Sequence, residues 1–276
     1  MTNIIVIPAR LASQRLPGKL LRDETGWPLI RHVYELCREV PYVDRVVVAV
    51  DGEEIAAVVQ GFGGEVVVTA AELPTGTDRV AAACLSLSLA EDDLVVNVQG
   101  DEPDLDPQHV LELLKLLQEH PGCAAATLAV KREGEDSQAD FDNPNRVKVV
   151  TDSTGRALNF TRKSLPEAPA GQTPEGGWLQ HIGIYGFRST ALKAFSALPR
   201  GVLEQQERLE QLRLLEAGCE IRVGVVETAA SGIDTEEDYR RFVEKARRMR
   251  EDRGGRNTAG NVPAEPVDQG EMDDSS

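Results

Sequence analysis

A short cationic segment follows the first apolar run of the chain. Arg10, Arg15 and Lys19 come directly after residues 4–7, with Gly18 in the same loop. Arginine binds phosphate oxygens in pairs and lysine acts as a point charge, and ligands of open α/β sheets bind beyond the carboxyl ends of strands. The segment therefore suits a polyanion such as a nucleoside triphosphate, although charge alone equally allows a solvated basic loop. It is neither a P-loop nor a dinucleotide-binding glycine motif.

Two carboxylates occupy positions where a metal ion could be held. Asp101 follows the apolar run 94–98 and Gly100, and a carboxylate at a strand end can meet Mg²⁺ and phosphate oxygens. An aspartate there is equally common as a turn former. Asp234 precedes the last predicted helix, where it could cap the helix together with Glu237. From the residues alone, capping is the favoured role of Asp234.

Three positions on the predicted strand 181–187 share one face. Alternate side chains of a strand point the same way, so His181, Gly183 and Tyr185 lie together, and the glycine leaves room between two hydrogen-bonding groups. That arrangement suits a polyhydroxylated ligand. A histidine or tyrosine on a strand is more often a packing residue.

A carboxylate interrupts an apolar column on the predicted helix 203–217. Glu210 shares its helical column with apolar residues one and two turns away. A charge among apolar neighbours is expected to be partly buried and to have a partner. That partner is either a ligand or Arg213, three residues on.

Arg79 lies at another predicted helix start, directly after the segment Thr75-Gly76-Thr77-Asp78. Free backbone N–H groups at a helix N-terminus favour anions. The alternative is that Thr75 or Thr77 simply caps the helix.

The composition limits the class of protein. The chain has 276 residues, 41% of them hydrophobic, and a formal net charge of −16. Such acidity argues against a nucleic-acid binder, and no segment approaches the length of a membrane span. No signal peptide is evident, and the four cysteines are scattered without a CxxC pair, so we expect a reduced, cytoplasmic setting.

Strands and helices alternate through the first half, which predicts an α/β fold with a largely parallel sheet. The predicted strands are 4–7, 45–50, 65–68 and 94–98. The predicted helices are 28–40, 53–61, 78–90 and 107–120.

The second half is less regular. Its predicted strands are 124–130, 146–150, 181–187 and 220–226, and its predicted helices are 203–217 and 235–250. Residues 167–177 are rich in proline and glycine and are expected to form a mobile loop. We expect one domain over 1–250, with a smaller subdomain at about 122–200, and a disordered tail over 251–276.

Seven motifs, in order, resemble those of the Kdo (3-deoxy-manno-octulosonate) cytidylyltransferases. The resemblance begins with IPARLASQRLPGK at 7–19 and covers roughly residues 3–245. The other motifs are TGTDR at 75–79, VNVQGDEP at 96–103, NPNRVKVV at 143–150, HIGIYGF at 181–187, LEQLR at 209–213 and GIDT at 232–235.

The resemblance implies a Rossmann-like nucleotidyltransferase fold and a role for each matching residue. Arg10, Lys19, Asp101 and Asp234 would be catalytic, the two aspartates as metal ligands. The nucleotide would be bound by Ala9, Arg10, Arg15, Lys19, Thr75, Gly76 and Arg79. The sugar would be bound by Gln99, Arg162, His181, Tyr185, Glu210 and Gln211, with Arg162 meeting its carboxylate.

The implied reaction is attack of the anomeric hydroxyl of Kdo on the α-phosphate of CTP, with Mg²⁺ as cofactor and pyrophosphate as leaving group. Positioning and electrostatics would then supply most of the catalysis. The family also implies a homodimer that binds no nucleic acid and enters no membrane.

Two segments depart from the family pattern, 199–206 and 165–178. They leave the nucleotide side unchanged and put the exact sugar and the dimer contact in question. The alternatives are a cytidylyltransferase for amino-Kdo or a sialic-type acid, a nucleotide sensor without activity, and a sugar-transferring enzyme of similar architecture.

Overall fold

Strands and helices alternate along the first 120 residues of the computed structural model, which describes residues 1–12, 15–134, 137–164, 177–229 and 232–257. The strands are β1 Asn3–Ala9, β2 Arg45–Val50, β3 Glu65–Val68 and β4 Leu94–Asn97. The helices are α1 Leu29–Arg38, α2 Glu53–Gly61, α3 Gly76–Ser86 and α4 Pro107–Glu119. All eight predicted elements of this half are confirmed, with shifts of up to four residues at their ends.

The second half adds further strands and shorter helices. The strands are β5 Ala125–Arg132, β6 Lys148–Thr151, β7 Ala157–Thr161, β8 Trp178–Arg188 and β9 Ile221–Val226. The helices are α5 Ser137–Asp142, α6 Ser189–Ala197, α7 Val202–Glu207, α8 Leu212–Glu216 and α9 Glu236–Asn257. The sequence did not predict α5, β7 or α6.

The central sheet has the strand order β3-β2-β1-β4-β8-β5-β9, and a β6–β7 hairpin attaches to β8. Pairs β1–β2, β2–β3, β1–β4 and β5–β9 are parallel, whereas β8 runs antiparallel to β4 and β5. The predicted, mostly parallel α/β sheet is confirmed. Strand order reverses between β1 and β4, and ligands of such sheets bind in the crevice at that point.

Helices cover both faces of the sheet. Ile5 and Ile7 of β1 pack with α1, α4 and α9 on one side, while Ile4 and Val6 pack with α3 and α6 on the other. Apolar residues at consecutive positions are thus buried on opposite faces, as expected for a central parallel strand. This rigid strand fixes the start of the cationic segment that follows it.

The predicted helix 203–217 is wrong, because the chain breaks into α7 and α8 at Arg208. Arg208 adopts a left-handed conformation with φ of 55°. The Glu216 carboxylate, at the end of α8, accepts hydrogen bonds from the backbone N–H groups of Leu203 and Glu204 at the start of α7. This closure is a tertiary contact, so helical periodicity could not predict it.

The end of the chain differs from the expectation in one respect. Helix α9 continues to Asn257 instead of ending near residue 250. Residues 258–276 and most of the expected loop 167–177 lie outside the described residues, and the predicted division into domain, subdomain and tail stays a prediction. Within the described ranges, no helix is both long and apolar enough to cross a membrane.

Candidate active site

A cavity of about 730 Å³ opens at the carboxyl ends of β1 and β4, where strand order reverses. Its walls come from the loop after β1, the start of α3, the loop after β4, the α7–α8 connection and the segment before α9. Eleven of the residues predicted for the site line it: Ala9, Arg10, Arg15, Lys19, Thr75, Gly76, Arg79, Gln99, Asp101, Glu210 and Asp234. The predicted nucleotide, catalytic and metal residues are therefore brought together.

Lys19 stands between the two predicted metal carboxylates. Its Nζ donates hydrogen bonds to the Asp101 carboxylate and, over 2.7 Å, to the carbonyl of Ile233. The same Nζ lies 3.5 Å from Asp234 Oδ1, and Arg15 Nη2 lies 2.8 Å from that oxygen. Two anions and two cations thus meet within one compact cluster at the cavity wall.

The backbone around this cluster explains two glycines of the motifs. Gly18 has a φ of 64°, which turns the chain into the short 3-10 turn Lys19–Leu21 and directs Lys19 to the carboxylates. A Cβ on Gly100 would lie 3.2 Å from the carbonyl oxygen of Pro8. The close approach of the β1 and β4 loops therefore leaves little room for a side chain before Asp101.

Asp234 does not cap α9, so the role favoured by the residues alone is wrong. The cap is formed by Thr235, whose Oγ1 accepts from the Asp238 backbone N–H over 3.2 Å, while Asp238 Oδ2 accepts from the Thr235 N–H over 2.9 Å. The Asp234 carboxylate instead faces Arg15 and Lys19. It remains available for a ligand.

Glu102 is a residue that the sequence analysis missed. Its Oε2 is buried and has no hydrogen-bond partner among the described residues. Burial, reinforced by the nearby charges of Asp101 and Asp234, raises the pKa of Glu102 to about 8. Burial therefore favours the neutral form of the Glu102 carboxyl group.

At the start of α3, the residue that caps the helix and the cation predicted to bind the nucleotide are different: Thr75 is the cap and Arg79 is the cation. Thr75 caps α3 by accepting a hydrogen bond from the Asp78 backbone N–H over 3.1 Å, so that alternative is confirmed. Arg79 is buried, and its Nη1 donates to Thr69 Oγ1 over 2.6 Å. Burial lowers the pKa of Arg79, and the nearby Arg10 lowers it further.

Arg10 itself forms no hydrogen bond or ion pair with the described residues, so its donors are free for a ligand.

His181 and Tyr185 lie on one face of β8, with ring centroids 5.4 Å apart. A β-bulge in the pairing of β8 with β5 lies between them, and Gly183 at this bulge is exposed, with nothing within 4 Å of an added Cβ. His181 Nε2 lies 3.0 Å from Thr127 Oγ1, and both rings are buried and do not line the cavity. The packing role is therefore satisfied, and the sugar role stays a prediction.

Glu210 reaches the cavity by a different route from the predicted one. It lies in the connection between α7 and α8, not in a helical column, and its Oε2 accepts from the Thr77 backbone N–H over 3.0 Å. Arg213 does not pair with it, because Arg213 binds Asp78 and Glu204. Glu210 therefore lines the cavity, partly buried and with a partner as expected, but the predicted helical column and the alternative pair with Arg213 are wrong.

The remaining predicted sugar residues differ in how free they are. Gln211 is buried, and its Nε2 has no partner among the described residues. Gln99 Nε2 donates to Asn97 Oδ1 over 3.2 Å. The Arg162 guanidinium donates to the backbone carbonyls of Glu207 and Pro144 and is not part of the cavity wall.

The buried imidazole of His181 predicts a pH dependence of stability. Burial lowers the pKa of His181 from its ordinary value of 6.5 to about 3. Between these values only the unfolded chain binds the proton, so the free energy of unfolding falls as pH drops below 6.5 and levels off near pH 3. Relative to a His181→Gln variant, which cannot charge, the native protein should lose about 3 kcal/mol between pH 7 and pH 4. Urea unfolding at both pH values measures this, and parallel curves for the two proteins would contradict it.

Comparison with known proteins places these observations in context. A cytidylyltransferase family model matches residues 4–221. The 3-deoxy-manno-octulosonate cytidylyltransferase of Syntrophobacter fumaroxidans is 45% identical over 88% of this chain and 96% of its own length. The 8-amino-3,8-dideoxy-manno-octulosonate cytidylyltransferase of Shewanella halifaxensis is 41% identical over 87% and 96%. The solved structure of CMP:2-keto-3-deoxy-manno-octonic acid synthetase complexed with CTP superposes with a TM-score of 0.81 at 36% identity, covering 90% of this chain and 100% of that one.

Proposed function

The chain belongs to the cytidylyltransferase family, and we propose that it transfers CMP from CTP to the anomeric hydroxyl of Kdo, giving CMP-Kdo and pyrophosphate. The observation that carries this proposal is the cavity at the strand-order reversal, where Arg10 has no partner among the described residues and Arg15 and Lys19 contact two carboxylates. It resolves the apparent conflict between a chain of net charge −16 and an anionic substrate, because the cations are concentrated at one place.

The chain's own residues bind and orient the reactants. Arg10 and Arg15 offer guanidinium groups to the triphosphate, and Lys19 places its ammonium where charge grows on the transferred phosphate. The anomeric oxygen forms a bond to the α-phosphorus as the bond to pyrophosphate breaks. Holding both substrates in line supplies much of the rate enhancement.

We propose Asp101 and Asp234 as the residues that hold Mg²⁺. Their donor set fits, because Mg²⁺ is usually bound by one or two carboxylates together with water and substrate phosphate. The described residues contain no cluster of three or more potential metal-binding side chains, which suits an ion shared with the substrate rather than a closed cage. When bound, the ion would neutralise phosphate charge and lower the pKa of the attacking hydroxyl.

The sugar is proposed to lie beside Glu210 and Gln211. Support comes from the position of Glu210 at the cavity wall and from the unpartnered, buried amide of Gln211, since a buried donor without a partner is costly and favours a ligand. Arg162, His181, Tyr185 and Gln99 remain proposed sugar residues on the strength of the resemblance.

Exchange of Glu210 for glutamine tests the sugar role. The amide oxygen can still accept from the Thr77 N–H, so the start of α3 should be unchanged, but a charged acceptor for a sugar hydroxyl is lost. We expect the KM for Kdo to rise about tenfold, as for one hydrogen bond to a charged group, while CTP binding measured by calorimetry stays the same. An equal loss of CTP affinity, or a change in thermal stability alone, would contradict the assignment.

A cytoplasmic homodimer is also proposed, from the family resemblance. Apolar side chains that a second copy could cover are present on two strands, where Leu158 of β7 and Val225 of β9 are each 58% exposed. Analytical ultracentrifugation tests the dimer, and a monomer at micromolar concentration would contradict it.

Pyrophosphate release tests the proposed reaction. Purified protein is supplied with CTP, Kdo and Mg²⁺, each is omitted in turn, and other nucleotides and the 8-amino sugar are substituted. Release that requires all three components and favours CTP and Kdo is the expected result. If the 8-amino sugar is the better substrate, the proposed substrate becomes that acid, which is the one named for the 41% identical relative from Shewanella halifaxensis. No release with any sugar acid would overturn the proposal.

A further inference from the structure

A second cavity of about 440 Å³ continues the active-site cavity beyond Glu210. The two cavities share Pro74, Thr75 and Glu210, so Glu210 lies at their junction. The added wall comes from α7 and the residues around it, among them Arg200 and Arg208. None of these residues was assigned a role by the motifs.

Arg208 is the distinctive residue of this extension. It is exposed, adopts the left-handed conformation that separates α7 from α8, and has no hydrogen bond or ion pair with the described residues. The neighbouring residue Glu207 binds Arg162 in two ways. The Glu207 backbone carbonyl accepts a hydrogen bond from the Arg162 guanidinium, and the Glu207 carboxylate accepts one from the Arg162 backbone N–H. Arg208 thus lies in the connection between α7 and α8, two positions before the proposed sugar residue Glu210, and both residues line the second cavity.

The buried carboxylate of the extension, Glu204, is already satisfied. Both oxygens of Glu204 are bound by Arg213, and Glu204 Oε1 also accepts from Arg200 Nε over 3.2 Å. Glu210 uses only Oε2, on the Thr77 N–H. At the junction, Glu210 therefore offers an acceptor and Arg208 a whole guanidinium without a partner among the described residues, while Arg200 keeps only its Nη groups for a ligand.

This pair fits a hydroxyl and opposes an ammonium. A hydroxyl can donate to the Glu210 carboxylate and accept from the Arg208 guanidinium at the same time. An ammonium can also donate to Glu210, but it has no acceptor for Arg208, and the charge of Arg208 repels it. The anomeric end of the sugar must lie near Asp101 and Asp234, where the phosphate is transferred. The far end of the eight-carbon chain then lies towards the junction.

We propose that Arg208 is a specificity-determining residue that selects a hydroxyl, rather than an amine, at carbon 8 of the ulosonic acid. This inference rests on the proposed function. It separates the two activities named for the relatives, which differ at that carbon.

The test compares kcat/KM for Kdo and for 8-amino-3,8-dideoxy-manno-octulosonate in the full-length protein and its variants. Arg208→Asn removes the charge with a residue that tolerates the left-handed conformation, Arg208→Lys keeps the charge, and Arg240→Gln is a matched loss of charge on the exposed face of α9. We expect the native protein and Arg240→Gln to prefer Kdo. The preference should fall about fivefold in Arg208→Asn, as for one exposed charge interaction, and should be largely kept in Arg208→Lys.

Each other outcome has a defined meaning. An unchanged ratio in Arg208→Asn, an equal loss with both sugars, or a native preference for the 8-amino sugar overturns the role of Arg208 while leaving cytidylyl transfer intact. The absence of pyrophosphate with either sugar in the native protein is the separate failure of the proposed function.

Discussion

Replacing Asp101 with asparagine is expected to leave a folded protein whose turnover falls about a thousandfold or more. Asparagine keeps the shape and an oxygen acceptor for Lys19 Nζ, which now contacts the carboxylate and the Ile233 carbonyl. It removes the negative charge proposed to hold Mg²⁺ against the phosphates. Without that charge the ion binds weakly, and repulsion between the triphosphate and the attacking oxygen is no longer offset.

Asp104→Asn provides the matched control, three residues away on the surface. Asp104 pairs with Lys245 over 2.7 Å and is 41% exposed, so its loss should change neither turnover nor stability measurably. Pyrophosphate release at saturating CTP and Kdo is measured across a Mg²⁺ titration, with thermal unfolding as the check on folding. Near-native turnover by Asp101→Asn at all Mg²⁺ concentrations would remove Asp101 from the proposed metal site.

The parallel half of the fold could be predicted from sequence because its signals are local. The apolar runs that became β2 and β3 end at the predicted residues, since each is bounded by polar or glycine residues. Strand β2 is buried inside the sheet, whereas β3 is an edge strand that is only partly buried. Once these strands and β1 and β4 are parallel, their carboxyl ends must meet at one edge. The meeting of Lys19 with Asp101 therefore follows from topology as much as from the motifs.

Residues around Glu210 show where such local signals fail. Periodicity predicted one helix, but Arg208 takes a left-handed conformation and Glu216 folds back to bind the N-terminus of α7. Those contacts join residues a dozen positions apart, and they decide the backbone. The position of Glu210 at the site was predicted by the motif and not by its supposed helical neighbours.

Burial creates a second class of unpredicted features. Glu102 directly follows Asp101, and this pair of adjacent acids was the only sign in the sequence that Glu102 belongs to the site. Its pKa is raised because the side chain is buried, and that burial exists only in the folded chain. The short strand β7 is similar, since its pairing with β6 and not its own composition makes it a strand.

Replacement of Arg213 is expected to lower the free energy of unfolding more than any other change considered. It is buried between Asp78 and Glu204, with Nη1 2.8 Å from Asp78 Oδ1 and Nε 2.8 Å from Glu204 Oε2, and its guanidinium lies 4.0 Å from the centroid of the Phe195 ring. Burial alone would lower the pKa of Arg213, but the hydrogen bonds from both carboxylates outweigh it and raise the pKa. The guanidinium thus holds α8, α7 and the start of α3 together.

Replacing Arg213 with methionine keeps most of the side-chain volume but leaves two carboxylates without their buried partner. We expect the free energy of unfolding to fall by about 3–5 kcal/mol, the usual cost of breaking a buried ion pair from one side. Arg248→Met, at a side chain 79% exposed on α9, should cost less than about 1 kcal/mol.

Adding Glu204→Leu to Arg213→Met should restore part of the loss, because it removes one of the two stranded charges. Urea unfolding of the four proteins measures these differences. A loss below about 1 kcal/mol in Arg213→Met, or a further loss in the double variant, would show that the ion pairs do not hold the wall of the site in place.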